Sequence, residues 1–172
     1  MKTWILVTLA LFSQNILANL FIEVDPFAYG LNGYSLHVGA QGNGFRFQVG
    51  AFEAEYPDEF KENDDFDVTQ GGYGIKLDYY GKSTDGAFIG IEYGKTTGDY
   101  ELKSSGNTEE QTLDFVGIRT GYKYSFTKEF YITPWIAIDK YTSDTSNIMI
   151  DSETYRTNSW QIFPTLHLGY EF

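Results

Sequence analysis

Gly71-Gly72-Tyr73-Gly74-Ile75-Lys76-Leu77-Asp78-Tyr79-Tyr80, followed by Gly86-Ala87-Phe88-Ile89-Gly90-Ile91-Glu92-Tyr93-Gly94-Lys95, decides the fold. Apolar character alternates with a period of two, which is the signature of a strand with one apolar face. In the first run that face is Tyr73, Ile75, Leu77 and Tyr79, and the other carries Gly72, Gly74, Lys76 and Asp78. In the second, Ala87, Ile89, Ile91 and Tyr93 oppose Gly90, Glu92 and Gly94.

The same period recurs along the chain. It predicts eight strands at 21–29, 34–41, 44–52, 71–80, 86–95, 112–124, 130–141 and 159–172. Most are near the roughly 9–11 residues that a tilted strand needs to cross a bilayer. The connections Gln41-Gly42-Asn43-Gly44, Gly81–Gly86 and Ser125–Glu129 are short, while 53–70, 96–111 and 142–158 are long and polar. Gly30-Leu31-Asn32-Gly33 alone is a short turn on the long-loop side. An even strand count with short turns at one end and long loops at the other predicts an all-β, up-and-down antiparallel barrel that spans a membrane.

Ring placement selects this over a soluble barrel carrying an apolar ligand. On the apolar face, Tyr34, Tyr73, Tyr93 and Trp160 fall at the long-loop end. Tyr79, Tyr122, Tyr124, Phe130, Tyr170 and Phe172 fall at the short-turn end, with aliphatic residues between. Tyr and Trp prefer the headgroup level of a bilayer, so two girdles around an aliphatic band turn that face toward lipid.

Composition removes other classes. There is no cysteine, hence no disulfide framework or thiol chemistry. Twenty-four acids against 12 bases give a net charge of −12, which opposes nucleic-acid binding. Residues 1–18, with Lys2, the apolar run Trp4–Phe12 and the polar break at 13–15, read as a signal peptide cleaved near Ala18. That leaves 19–172 as one barrel domain.

The chain resembles the small eight-stranded outer-membrane barrels of Gram-negative bacteria, such as the outer membrane protein A and X barrels and the opacity-like adhesins. The strand layout over 21–172 and the tail Leu166-His167-Leu168-Gly169-Tyr170-Glu171-Phe172 carry the resemblance. It implies residence in the outer membrane, lipid as a partner, a monomer, and delivery to the barrel-assembly machinery through the Phe172 tail. The usual tail pattern has a glycine where His167 stands. The resemblance specifies an architecture and not an activity.

By parity the lumen receives Glu23, Asp25, His37, Arg46, Gln48, Lys76, Asp78, Glu92, Arg119, Lys123, Asp139, His167 and Glu171. Eight strands leave an interior just wide enough for side chains, so these groups predict a paired polar plug and not a wide pore. His37 and His167 flank Glu23 and Asp25, an arrangement that suits either a satisfied plug or a proton-linked or metal site. Pro26, Pro134 and Pro164 fall on strands that become neighbours on closure. They predict either local bulges or a weakened seam with lateral access for lipid.

Loops 53–70, 96–111 and 142–158 carry net charges of −7, −3 and −2, which together equal the charge of the whole chain. Asn63-Asp64-Asp65-Phe66-Asp67 is the densest part, and Asp64, Asp65 and Asp67 could hold a divalent cation weakly. The loops contain neither His nor Cys, so a surface hydrolase lacks its base. No cofactor is implied. The reading is a surface-exposed, non-enzymatic barrel serving adhesion, envelope integrity or cation and ligand binding. A lipid-handling or lipid-modifying barrel using the proline seam is the alternative.

Overall fold

A computed structural model describes residues 19–58 and 61–172; the signal-peptide expectation lies outside them. The elements are β1 (Asn19–Val24), α1 (Pro26–Gly30), β2 (Tyr34–Gly42), β3 (Phe45–Glu55), β4 (Phe66–Tyr79), β5 (Gly86–Leu102), β6 (Thr108–Ser125), β7 (Phe130–Tyr141), β8 (Ile148–Ile150), β9 (Glu153–Tyr155) and β10 (Trp160–Glu171). Eight strands close a barrel in the order β1-β10-β7-β6-β5-β4-β3-β2, and β8 and β9 form a separate hairpin. Every pairing in the ring is antiparallel. Asn43 and Gly44, with φ of 52° and 78°, turn β2 into β3. Positive φ at both central residues is what a tight hairpin requires, and Asn-Gly meets it at little steric cost.

The faces divide as the alternation predicts. Leu36, Ile75, Ile89, Ile91, Ile118 and Ile138 are exposed on the outside, whereas Glu23, Arg46, Gln48, Asp78 and Arg119 are buried within. Tyr34, Tyr73, Tyr93, Trp160, Tyr79, Tyr122, Tyr124, Phe130 and Phe172 are all exposed outward, in two girdles. A soluble barrel with a greasy lumen is thereby overturned.

Several boundaries differ from the sequence expectation. The loops 53–70 and 96–111 are in part strand: β4 starts at Phe66, and β5 and β6 run on to Leu102 and from Thr108. Their alternation of buried Phe66, Val68, Tyr100 and Leu102 with Asp67, Asp99 and Glu101 is a strand signal that the high charge obscured. The first strand, by contrast, is shorter than expected and ends at Val24. Residues 26–30 are one helical turn, with Pro26 at its start and Asp25 as cap, its Oδ1 accepting from the Phe27 N–H at 2.8 Å. Pro at the first helical position loses nothing, because that N–H has no helical partner.

Hydrogen-bond direction explains why β1 stops. The Phe172 N–H donates to the Leu20 carbonyl, while the Glu171 N–H donates to Glu129 on the other side. Alternate residues of an antiparallel strand address the same neighbour, so Leu168, Leu166, Pro164 and Ile162 all face β1. The register Ile22↔Tyr170 and Val24↔Leu168 would next set Pro26 against Leu166 and residue 28 against Pro164. Both prolines withhold a donor from this one seam. Pro134 faces β6 instead. There the ladder skips from Gly121↔Trp135 to Tyr124↔Ile132 with the register unchanged. Contrary to expectation, the prolines therefore do not share one seam, Pro26 is not on a strand, and Pro134 makes an unpaired step in a ladder that gains no extra residue.

Outward orientation makes Ile91, midway between the girdles on β5, a test of the wall. Ile91→Arg should lower bilayer-embedded stability by about 2–4 kcal/mol, the cost of a cation at mid-depth, measured by reversible denaturant titration in lipid vesicles.

Candidate functional site

Two regions concentrate polar side chains: the lumen and the end of the barrel that carries the long loops.

The lumen holds stacked ion pairs. At the short-turn end the Lys123 ammonium pairs with Glu171 and lies over the Tyr131 ring at 4.4 Å. Above it, Arg46 Nη2 lies 2.8 Å from Glu23 Oε1 and also donates to the Tyr131 hydroxyl. Its guanidinium covers the Phe21 ring at 3.7 Å. Glu23 Oε2 lies 3.0 Å from His167 Nδ1, and His167 stacks on His37 at 4.7 Å. Farther up, Arg119 approaches Asp78 at 3.3 Å and Glu92 at 3.7 Å, with Trp135 under its guanidinium at 4.1 Å. Lys76 lies 4.4 Å from the same ring.

The expected cluster of His37, His167 and Glu23 therefore forms, but as part of a plug. Arg46 and His167 each engage one Glu23 oxygen. Asp25 is not a member: it caps α1 and accepts from the Thr165 hydroxyl. No group of three His, Cys, Asp or Glu side chains is arranged to hold a metal among the described residues. Most of these buried charges have the partner that a dry lumen requires, while Lys76 and Asp139 stand outside the ion pairs among the described residues.

The long-loop end forms a folded cap, which sequence reasoning missed. Phe66, Val68, Tyr100, Leu102, Ile148, Ile150 and Tyr155 make a buried cluster above the barrel, with Tyr56 against it. Tyr155 meets Phe66 edge-on at 5.6 Å and Tyr100 at 4.9 Å. Burial pushes the Tyr100 hydroxyl up to about 12 and raises Tyr155 as well. The β8–β9 hairpin is tied down at its turn, where Asp151 accepts from Ser105 Oγ at 2.8 Å and from Asn107 Nδ2 at 3.1 Å. The legible signal was the apolar pattern Ile148-Met149-Ile150 within a stretch read as polar.

Acidic groups cover the outside of this cap. Asp67 stands opposite Glu101, and Asp99 opposite Glu110, across adjacent strands. Lys61 Nζ lies 3.1 Å from Asp67 and 2.7 Å from Asp58, and Lys103 lies 3.4 Å from Asp67. The Asp64, Asp65 and Asp67 set is not assembled as a ligand group: Asp67 turns to the lysines, and no three acidic groups converge among the described residues. Hydrogen bonding from Lys61, with the Lys103 charge beside it, holds Asp58 and Asp67 below the usual carboxylate range.

Glu23→Ala leaves Arg46 buried without its counter-ion and should cost about 3–5 kcal/mol, read from the urea midpoint in vesicles, while Asp64→Ala should change little. Because Asp58 and Asp67 are depressed in the folded chain, their pairing is intact above the unfolded Asp value of about 3.9 and is lost as pH falls through the lower folded values. Side-chain NMR of the two carboxyls should show them ionising below that value, and Lys103→Met should move Asp67 back up.

No protein-family model matches the chain, and neither does any curated protein. Solved structures do. A major outer membrane protein from Thermus thermophilus is 12% identical with a TM-score of 0.61, over 91% of this chain and 100% of that one. The N-terminal β-barrel domain of Pseudomonas aeruginosa OprF is 16% identical with a TM-score of 0.51, over 90% and 97%. Neisserial surface protein A is 15% identical with a TM-score of 0.51, over 90% and 92%. At these identities the likeness is one of architecture. In fold, the chain is an eight-stranded antiparallel β-barrel like those of small outer-membrane proteins.

Proposed function

We propose that this barrel sits in a bacterial outer membrane as a monomer and presents a rigid acidic platform that binds cationic ligands, with no catalysis and no wide pore. The observation that carries the reading is the sheet-built outer face of the cap. Asp99 and Glu110 are directly opposed on adjacent strands, and no ion pair among the described residues answers either one. Like charges facing one another across a sheet are destabilising, and an arriving cation relieves that repulsion. Packing of Tyr155, Phe66 and Tyr100 beneath holds the carboxylates in place, so little ordering entropy is lost on binding. The filled lumen supports a display role over conduction. Cleavage near Ala18 and assembly through the Phe172 tail belong to the same reading.

An oligolysine peptide added to the protein in phosphatidylcholine vesicles tests it. Binding is expected at low salt and should weaken as salt rises, because exposed charges are screened. The double substitution Asp99→Asn with Glu110→Gln should reduce it. Binding that ignores salt and both substitutions, or retention of heparin in place of oligolysine, overturns the reading.

A further inference from the structure

The seam where β1 stops leaves an opening in the wall that the cap does not explain. β10 continues upward from Leu168 to Trp160 and β2 continues to Tyr34, yet between them, above Val24, there is no strand among the described residues. The opening lies between the two girdles, since β10 runs from Trp160 in one to Tyr170 in the other. On the outside it is flanked by the apolar side chains of Ile162, Leu168 and Leu36.

α1 occupies the opening and is held by polar contacts. The Tyr29 hydroxyl donates to the Ser35 carbonyl at 2.9 Å, the Asp25 N–H donates to Ser35 Oγ at 3.1 Å, and Thr165 donates to Asp25. Ala28 points inward and is buried, while Phe27 and Tyr29 face out. Directly behind, the lumen changes character. Ser35 pairs with Phe52 on β3, whose ring points inward. Phe52 lies 6.2 Å from Phe163, and Phe163 lies 5.8 Å from Trp135. Phe52 and Phe163 are only half-buried, unlike the sealed Arg46 and Gln48 below them. The Trp135 ring is taken by Arg119 and Lys76 of the plug, whereas no cation among the described residues sits on Phe52 or Phe163.

We propose that the β2–β10 opening is a lateral port for one acyl chain of a membrane lipid, which enters as α1 lifts and lies on Phe52 and Phe163. The depth selects the occupant: the port faces hydrocarbon, and Phe52 and Phe163 offer half-buried ring surface that carries no cation among the described residues. An added peptide strand fits less well, because Pro164 removes a donor from the middle of the only long edge available among the described residues.

The full chain in phosphatidylcholine vesicles doped with a phosphatidylcholine carrying a mid-chain diazirine decides the matter. After irradiation, adducts should map to Phe52 or Phe163 as well as to outward residues such as Ile91. In the double variant Pro26→Val with Pro164→Val, both withheld donors return and β1 can zip to β10. Inward adducts should then be lost and outward ones kept. Adducts confined to outward residues in the unaltered chain overturn the proposal, whether or not the variant folds. So do inward adducts that persist undiminished in a variant shown to be folded by its heat-modifiable gel mobility. In a background with both Trp4→Phe and Trp160→Phe, loss of Trp135 emission with brominated-chain lipid supports entry, and emission unchanged by such lipid opposes it.

Discussion

In hydrocarbon, water cannot satisfy a backbone N–H or C=O, so each must be paired within the protein. The remainder of this structure follows from that requirement. It forces the sheet to close, with β1 meeting β10 through the Phe172-to-Leu20 hydrogen bond. It also makes each proline in the wall consequential. Where Pro26 and Pro164 withhold donors from the same ladder, the strand cannot continue. The chain answers with a helical turn, which satisfies its own backbone, and with the hydroxyls of Tyr29 and Ser35, which pair the Ser35 carbonyl and the Asp25 N–H.

Closure at eight strands sets the interior. A lumen this narrow admits side chains and little else, so the polar face that keeps its charges away from lipid must neutralise them against one another. Arg46 shows how densely this is done, with one carboxylate, one phenol and two aromatic faces around a single guanidinium. Inward glycines make the space. A Cβ at Gly50 would collide with the His37 ring, and one at Gly169 would collide with the Tyr131 ring. The plug therefore depends on residues that contribute no side chain.

Beyond the girdles the constraint reverses. Water satisfies exposed backbone there, so β4, β5 and β6 could end freely, yet they extend to build a second small core under the β8–β9 hairpin. This core lies inside the continued sheet, and the carboxylates stand on its outer side. Surface charge and cap stability are in this way assigned to opposite faces of the same strands.

The sequence by itself determined the number of membrane strands, their register of inward and outward residues, and both girdles, because a period of two in a closed sheet leaves each residue only two directions. Glu23, His37 and His167 were legible as a cluster for the same reason. Tertiary structure alone decided where β1 ends, that Pro26 begins a helix while Pro134 turns to β6, and that Asp25 serves a cap and not the plug. Those outcomes depend on which neighbour a given N–H addresses, and that is fixed by pairing partners distant in the chain. The cap was hidden for a related reason: Phe66, Tyr100, Ile148 and Tyr155 are scattered through acidic loops, and only the extended sheet brings them into contact.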